Sequence, residues 1–397
     1  MRSRRRSSRA VACALAAACA LGAPACGEAP GTDAPDVIGP CPDIYAQELV
    51  PTFELDFAPA DWAALHADHA ARVKGNYYPA TFRLGDERVP AVYVRLRGRT
   101  SNWVGTKLQL TISFNHVDRD ARFHGLRKIV LDASAYDHSL LRERVGLAFL
   151  RDAGVPAPCA NNARLMVNGT YEGLYSSFEN ADREYLERIF SRPEGDLFAI
   201  DGETGMWELE TNEDESNLDR LDAFLATSDL AGVAVMADLD ASVVEWAGEA
   251  MVPHAEGYLA GVGNYQLYDH PARGFVTLPY DLDSAFFFDD VAGTDLHTAD
   301  PLAFTFPGFE RPRQLQLVLA DETWRRRFVD ELRGARAAYD VASMQARVDT
   351  WAAQIAGDVV ADPNRGFTDE QHAAAVAEIR TFVAARAEFM DGWLAAR

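Results

Sequence analysis

The segment Tyr280-Asp281-Leu282-Asp283 sets two carboxylates two positions apart directly after an apolar run, Phe275 to Leu278, that reads as a strand. Upstream, Glu256 lies in His254-Ala255-Glu256-Gly257-Tyr258, and Asn264 opens a strand-like stretch, Gln266 to Tyr268, that reaches the turn Asp269-His270-Pro271. Metal-dependent phosphoryl transfer needs such parts. Mg²⁺ takes one or two carboxylates plus phosphate oxygens and water, while a separate carboxylate positions the attacking hydroxyl and accepts its proton. Asp281 and Asp283 fit the first need and Glu256 the second. Taken alone, the two aspartates fit equally a helix N-cap followed by a first-turn acid. A second polar segment, Arg97-Gly98-Arg99-Thr100-Ser101-Asn102-Trp103-Val104-Gly105, combines glycines, hydroxyls and arginines in a turn suited to phosphate oxygens. Lys107, which follows it, is one of only three lysines, with Lys74 and Lys128, in a chain that otherwise writes its positive charge as arginine. It either reaches a phosphate as a point charge or is a solvated strand residue.

The elements that must carry these residues are strand-rich first and helical later. Phe53 to Phe57 alternates as a strand, Pro59 to Ala70 reads as a helix with proline in its first turn, and Tyr77 to Leu84 and Val89 to Leu96 are strands. From Lys107 to Phe114, Leu108, Leu110, Ile112 and Phe114 share one face, so Lys107 points to the other. Residues 128–132 form a buried strand, Ser139 to Ala153 an amphipathic helix stopped at Gly154-Val155-Pro156, and Asn168-Gly169 the turn of a second hairpin from Ala163 to Phe178. An acidic, linker-like stretch covers Glu208 to Ser216. Beyond it the pattern is helical except for the hairpin Asn264 to Leu278, with three long helices after Ala320. This is an α+β chain with a strand-rich first part and a mostly helical second.

Several motifs occur together in one order: Arg97-Gly98-Arg99-Thr100-Ser101 before Lys107; Ser139-Leu140-Leu141-Arg142-Glu143 opening a helix that ends at Gly154-Val155-Pro156-Ala157-Pro158; Val167-Asn168-Gly169-Thr170-Tyr171-Glu172-Gly173-Leu174-Tyr175 before Glu179 and Asp182; and Asn264-Tyr265-Gln266-Leu267-Tyr268 leading to Pro279-Tyr280-Asp281-Leu282-Asp283. In this order they resemble the CotH-type kinases, named for a spore-coat protein and distantly similar to protein kinases, over roughly residues 50 to 393. The resemblance implies a two-lobed, protein-kinase-like fold with a domain over 46–395, an N-lobe about 50–180 and a C-lobe about 181–395. It implies ATP and Mg²⁺ as cofactors and a protein hydroxyl, serine by expectation, as acceptor, with a Ser-rich surface protein as the kind of partner. Carried over residue by residue, it makes Asp281 the principal metal ligand with Asn264 and Asp283 assisting, and Glu256 the catalytic base. Lys107 and Arg97 become phosphate contacts, Glu179 to Asp182 the lobe connection near adenine, and Arg142 or Glu143 a pairing residue within the cleft. The sequence departs from the usual pattern twice. His254-Ala255-Glu256-Gly257-Tyr258 replaces His-Trp-Asp-Gly-Tyr, and Gly263-Asn264 replaces Asn-Asn. The longer acid leaves open a weak or inactive kinase that serves in surface adhesion or assembly. A metal-dependent glycosyltransferase built on Asp281-Leu282-Asp283 is a further, lower reading, disfavoured by the helical chain that follows.

The ends and composition bound location and partners. Arginines at 2, 4, 5 and 6, an apolar run from Ala10 to Leu21 and Ala23-Pro24-Ala25 read as a signal peptide over 1–25, with a Pro/Gly-rich tether over 26–45. Cys26 stands where a lipid anchor would be attached, and the run is too short to span a bilayer. The chain is therefore expected to be exported, lipid-anchored at the cell envelope or otherwise secreted. In an oxidising compartment Cys41 and Cys159 can pair or stay free. A net charge of −22 disfavours nucleic acid as a partner.

Overall fold

The computed structural model describes residues 38–288 and 295–397. Seven strands close into a barrel in the order β1-β2-β3-β4-β5-β7-β6: β1 (Thr52–Phe57), β2 (Tyr78–Leu84), β3 (Glu87–Leu96), β4 (Leu110–Ser113), β5 (Lys128–Asp132), β6 (Ala160–Val167) and β7 (Thr170–Glu179). Alternation explains the closure. On β1, Phe53, Leu55 and Phe57 turn inward between half-buried polar residues, and Phe82, Val92, Val94 and Ile112 meet them inside. The one parallel pairing, β1 with β6, seals the barrel. Asn168-Gly169 turns between β6 and β7 as expected, with both residues at positive φ. Helix α1 (Pro59–Ala71) packs on the outside of the first strands.

Helix α2 (Arg142–Asp152) starts three residues later than the sequence pattern suggests. The Asp137 carboxylate accepts from the backbone N–H groups of Ser139 and Arg142, each at 2.9 Å, and so caps the helix from outside. Short α3 (Arg183–Ile189) then leads to a second, four-stranded sheet in the order β11-β10-β8-β9, made of β8 (Asp196–Ile200), β9 (Trp207–Leu209), β10 (Tyr265–His270) and β11 (Gly274–Pro279). The acidic stretch read as a linker from Glu208 is in part the edge strand β9. Its Trp207 and Leu209 pack on the helical core, and this tertiary contact overrides the polar composition. The remaining helices are α4 (Asp219–Leu225), α5 (Leu230–Met236), α6 (Leu239–Met251), α7 (Arg313–Ala320), α8 (Glu322–Ala338), α9 (Val341–Ala361) and α10 (Asp369–Ala395). The last three are the long helices expected after Ala320, each started by a side-chain cap at Asp321, Asp340 or Thr368.

The α9–α10 hairpin reaches back and braces the barrel and α2. Asp362, just past α9, accepts from Lys107 Nζ at 2.7 Å and from the Leu174 backbone N–H at 3.0 Å. Arg144 donates to Gln354 at 3.0 Å and lies 4.3 Å over the Trp351 ring, and Arg142 pairs with Glu378 at 2.5 Å. Lys107 and Asp362 are both buried, and burial holds the lysine below its ordinary pKa against the pull of the aspartate. Removing one partner strands the other charge. Asp362→Ala should therefore lower unfolding free energy by about 3–5 kcal/mol, with Lys107→Met costing less, both read by denaturant titration. Equal costs would mean that the pair is solvated.

Candidate functional site

Hairpin register brings the distant acids together. Tyr265 faces Pro279 across β10 and β11, so Asn264 and Tyr280-Asp281 leave the hairpin side by side at its open end. The Asn264 amide donates to the Asp281 carbonyl at 3.3 Å and to its carboxylate at 3.4 Å. Its backbone N–H donates to the Glu256 carbonyl at 2.8 Å, and its amide also reaches Glu256 Oε2 at 3.2 Å. A bridge between His254 and Ala285 then pins the Glu256 turn to the segment after Asp283. Ser284 Oγ lies 3.1 Å from Glu256 Oε2 and 3.1 Å from Asp283 Oδ1, tying the two acids to one hydroxyl. Asp281 adopts a left-handed conformation, φ 56° and ψ 67°, which aspartate tolerates better than most residues and which turns the chain into the short 3-10 helix Leu282–Ser284. Gly146 of α2 permits this turn to sit close, since a Cβ there would lie 2.9 Å from Leu282 Cδ2.

The barrel supplies the opposite wall of a cleft of about 1010 Å³. Arg97, at the end of β3, donates to Asp132 at the end of β5 and to Tyr280 Oη at 3.1 Å, with its guanidinium 5.1 Å from the Phe178 ring. Gly98 is at φ +75°, and a Cβ there would collide with Gln109 Oε1 at 2.2 Å, so this turn requires glycine. The cleft thus lies between a turn of arginines and backbone amides on one side and acids on the other, with Ile200, Tyr265 and Gln266 of the second sheet along its side.

Electrostatics mark the acids as short of positive charge. Burial, then the Asp132 charge, pushes the Asp281 carboxyl up to about 7, with Arg97 opposing. Asp283 is held well above the usual carboxylate range by burial and by Asp281, Asp132, Glu143 and Glu256. Glu143 is raised likewise, by burial first and then by Asp281. Arg97 keeps its charge because Tyr280, Asp132 and Asp281 outweigh its burial. Five carboxylates around one buried guanidinium leave room for a hard divalent cation as the missing counter-charge, and the Asp281, Asp283 and Asn264 side chains suit it.

Of the residues singled out in the sequence, Arg97, Glu256, Asn264, Asp281 and Asp283 line this one cleft. Four others, Lys107, Arg142, Glu143 and Glu179, do not. Lys107 is neither at the phosphate position nor solvated: its ammonium is buried and held by Asp362 and by the Leu174 carbonyl at 2.5 Å. The C-terminal hairpin captures it, which a solvated or phosphate-facing reading could not foresee. Arg142 donates to the Ala285 carbonyl at 2.8 Å and pairs with Glu378 and with Asp137, so it braces the turn from behind. Glu143 is the member of that pair whose charge acts on Asp281 and Asp283. Glu179 accepts from the Cys159 backbone N–H at 3.1 Å and from Arg188 Nε at 3.0 Å, leaving its neighbours Asn180 and Ala181 to line the cleft. Cys41 and Cys159 form a disulfide, and Cys26 lies outside the described residues. Asp132 went unnoticed as an acid of the site. Its only signal is an acid closing an otherwise apolar buried strand. Ser284 carried no signal at all.

Raised acids make stability depend on pH in a definite direction. Between about pH 4, where an ordinary aspartate ionises, and about 7, the folded value for Asp281, the folded chain keeps a proton that the unfolded chain has released. Stability contributed by this group therefore falls as pH rises through that window. Thermal melts from pH 5 to 7.5 should show a decline that Asp281→Asn flattens and that millimolar Mg²⁺ offsets at the upper end. A melting temperature independent of pH in the wild type would contradict it.

The family described as CotH kinase protein matches residues 94–390. Inner spore coat protein H of Bacillus subtilis is 28% identical over 199 residues, which are 44% of this chain and 52% of that protein. An inner spore coat protein H-like protein of the same organism is 41% identical over 56 residues, 14% of this chain and 18% of its own. The chain thus spans about half the length of the first relative and less of the second. Among solved structures, the proinflammatory kinase CtkA of Helicobacter pylori aligns over 72% of this chain and 94% of its own, at 7% identity and a TM-score of 0.37. With the matched region holding the arginine turn, Glu256, Asn264, Asp281 and Asp283 alike, the chain belongs to the CotH kinase family.

Proposed function

We propose that this chain is an exported, Mg²⁺- and ATP-dependent kinase that transfers the γ-phosphate to protein hydroxyls, serine foremost, on a Ser-rich surface protein. The observation that carries the reading is the convergence of Glu256, Asn264, Asp281 and Asp283 on one cleft wall facing the Arg97 turn. In a two-lobed, kinase-like reading the barrel is the nucleotide-holding part and the helical part presents the acids. Mg²⁺, when bound, neutralises charge on the transferred phosphoryl group. The chain's own residues do the rest. Asp281 and Asp283, with Asn264, present the oxygens that would hold the ion. Arg97 and the backbone amides of its turn face the phosphates. Glu256, kept in place by Asn264 and Ser284, accepts the proton of the acceptor hydroxyl as its oxygen attacks phosphorus. The Cys41–Cys159 disulfide supports export, since such bonds persist in oxidising compartments, and Cys26 would anchor the exported chain at the envelope.

Purified protein incubated with γ-labelled ATP, Mg²⁺ and a Ser-rich acceptor should become labelled or label the acceptor. Glu256→Gln should slow transfer about 10²–10⁴-fold, the usual worth of a positioned base, while Glu256→Asp, which shortens the acid by one methylene, should retain transfer. Asp281→Ala should abolish it, and equal labelling by that variant would overturn the site assignment. ATP-induced thermal stabilisation without any transfer would favour the second reading, a nucleotide-binding adhesion or assembly protein, which the existing hydrogen bonds on Glu256 motivate.

A further inference from the structure

Next to the cleft acids, though not lining the cleft, stands a nitrogen donor that the phosphoryl-transfer reading does not use. His254 is 2% exposed, and its Nε2 has no hydrogen-bond partner among the described residues. A buried imidazole without a partner leaves desolvated polar atoms unpaired, which folded proteins rarely tolerate without a bound group. One ring nitrogen of His254 and one carboxylate oxygen from each of Glu256 and Asp283 lie within 4.8 Å of one another. Ligand atoms on a common ion at about 2.0–2.2 Å stand up to about 4.4 Å apart, so a small inward movement completes three coordination positions. Among the described residues this is the one group of His, Cys, Asp or Glu side chains so placed.

We propose that His254, Glu256 and Asp283 form a cation site for a first-row transition ion of the Mn²⁺ or Zn²⁺ class, distinct in chemistry from the oxygen-only position offered by Asp281 and Asn264. Mg²⁺ prefers octahedral oxygen ligands and sheds water reluctantly. Imidazole shifts preference toward later first-row ions, and a mixed nitrogen and carboxylate set is a common one for Zn²⁺. The backbone makes the set rigid. The His254–Ala285 bridge fixes the His254 backbone against the segment after Asp283, and the Ser284 hydroxyl spaces Glu256 from Asp283 at 3.1 Å to each. The remaining coordination positions open toward the cleft through Glu256 and Asp283, which both line it. Ligation through one oxygen of Glu256 leaves its other oxygen for an acceptor hydroxyl. The inference shares two residues with the proposed kinase site but stands on ion binding alone, without nucleotide.

The test uses the full chain, Mn²⁺ as a paramagnetic probe, Zn²⁺ as competitor and Mg²⁺ as control, all without ATP. Mn²⁺ should bind at least about tenfold more tightly than Mg²⁺ by thermal-shift titration, with Zn²⁺ displacing it, as the order of affinities requires. Electron-spin-echo modulation from ¹⁴N should appear on bound Mn²⁺, because imidazole nitrogen is a direct ligand. His254→Gln should remove the ¹⁴N signal and the preference over Mg²⁺ while the far-UV spectrum stays unchanged. Bound Mn²⁺ without ¹⁴N coupling in the wild type, equal affinities for Mn²⁺ and Mg²⁺, or no binding would each overturn the proposal, even if the variant failed to fold. Phosphoryl transfer is read separately. A ¹⁴N-coupled ion in a protein that transfers no phosphate upholds this site and defeats the kinase reading, and the reverse pattern does the opposite.

Discussion

Crowded negative charge around Arg97 is the constraint on which the rest of the molecule turns. Asp132, Glu143, Glu256, Asp281 and Asp283 act on one another through a buried, poorly screened region, and buried Arg97, helped at Asp281 by exposed Arg99, offsets only part of their repulsion. Such an arrangement persists only if the surrounding fold is rigid enough to impose it. The rigidity comes from two directions. Behind the acids, α2 packs on the Leu282 turn through Gly146, and Arg142 grips the Ala285 carbonyl. In front of them, the closed barrel holds Arg97 and Asp132 at the ends of β3 and β5, the two strands that flank β4.

The C-terminal hairpin gives the helical part a role in the site without touching it. Asp362 and Glu378 take up the charges of Lys107 and Arg142, neither of which lines the cleft. The acid wall keeps its shortage of counter-charge. Glu179 is withdrawn in the same way by Arg188, leaving uncharged Asn180 and Ala181 at the cleft edge.

Much of this was legible along the chain. Period-two alternation located the barrel strands from Phe53 to Phe178, capping residues and helical periodicity located the long C-terminal helices, and Asn168-Gly169 located a hairpin turn. Asp281, Asp283 and Glu256 stand out as acids at a strand end and across a hairpin, but a helix cap fits the two aspartates equally, and it is the resemblance to the CotH-type kinases that singles out Asn264 and ranks Asp281 first. Strand β9 was not, since its acidic residues hide a tertiary contact made by Trp207 and Leu209.

What the sequence by itself determined was which segments alternate, where they turn, and which acids stand at strand ends, because these depend on neighbours within a few residues. Only the tertiary structure decided where each cation spends its charge. Lys107 and Arg142 read as cleft residues until Asp362 and Glu378, each more than 200 positions away, claimed them. His254 stands in the sequence only as a neighbour of Glu256, and packing alone leaves its buried Nε2 without a hydrogen-bond partner among the described residues. Electrostatic pairing and desolvation act through space over a few ångströms, so the order of residues along the chain carries no record of them.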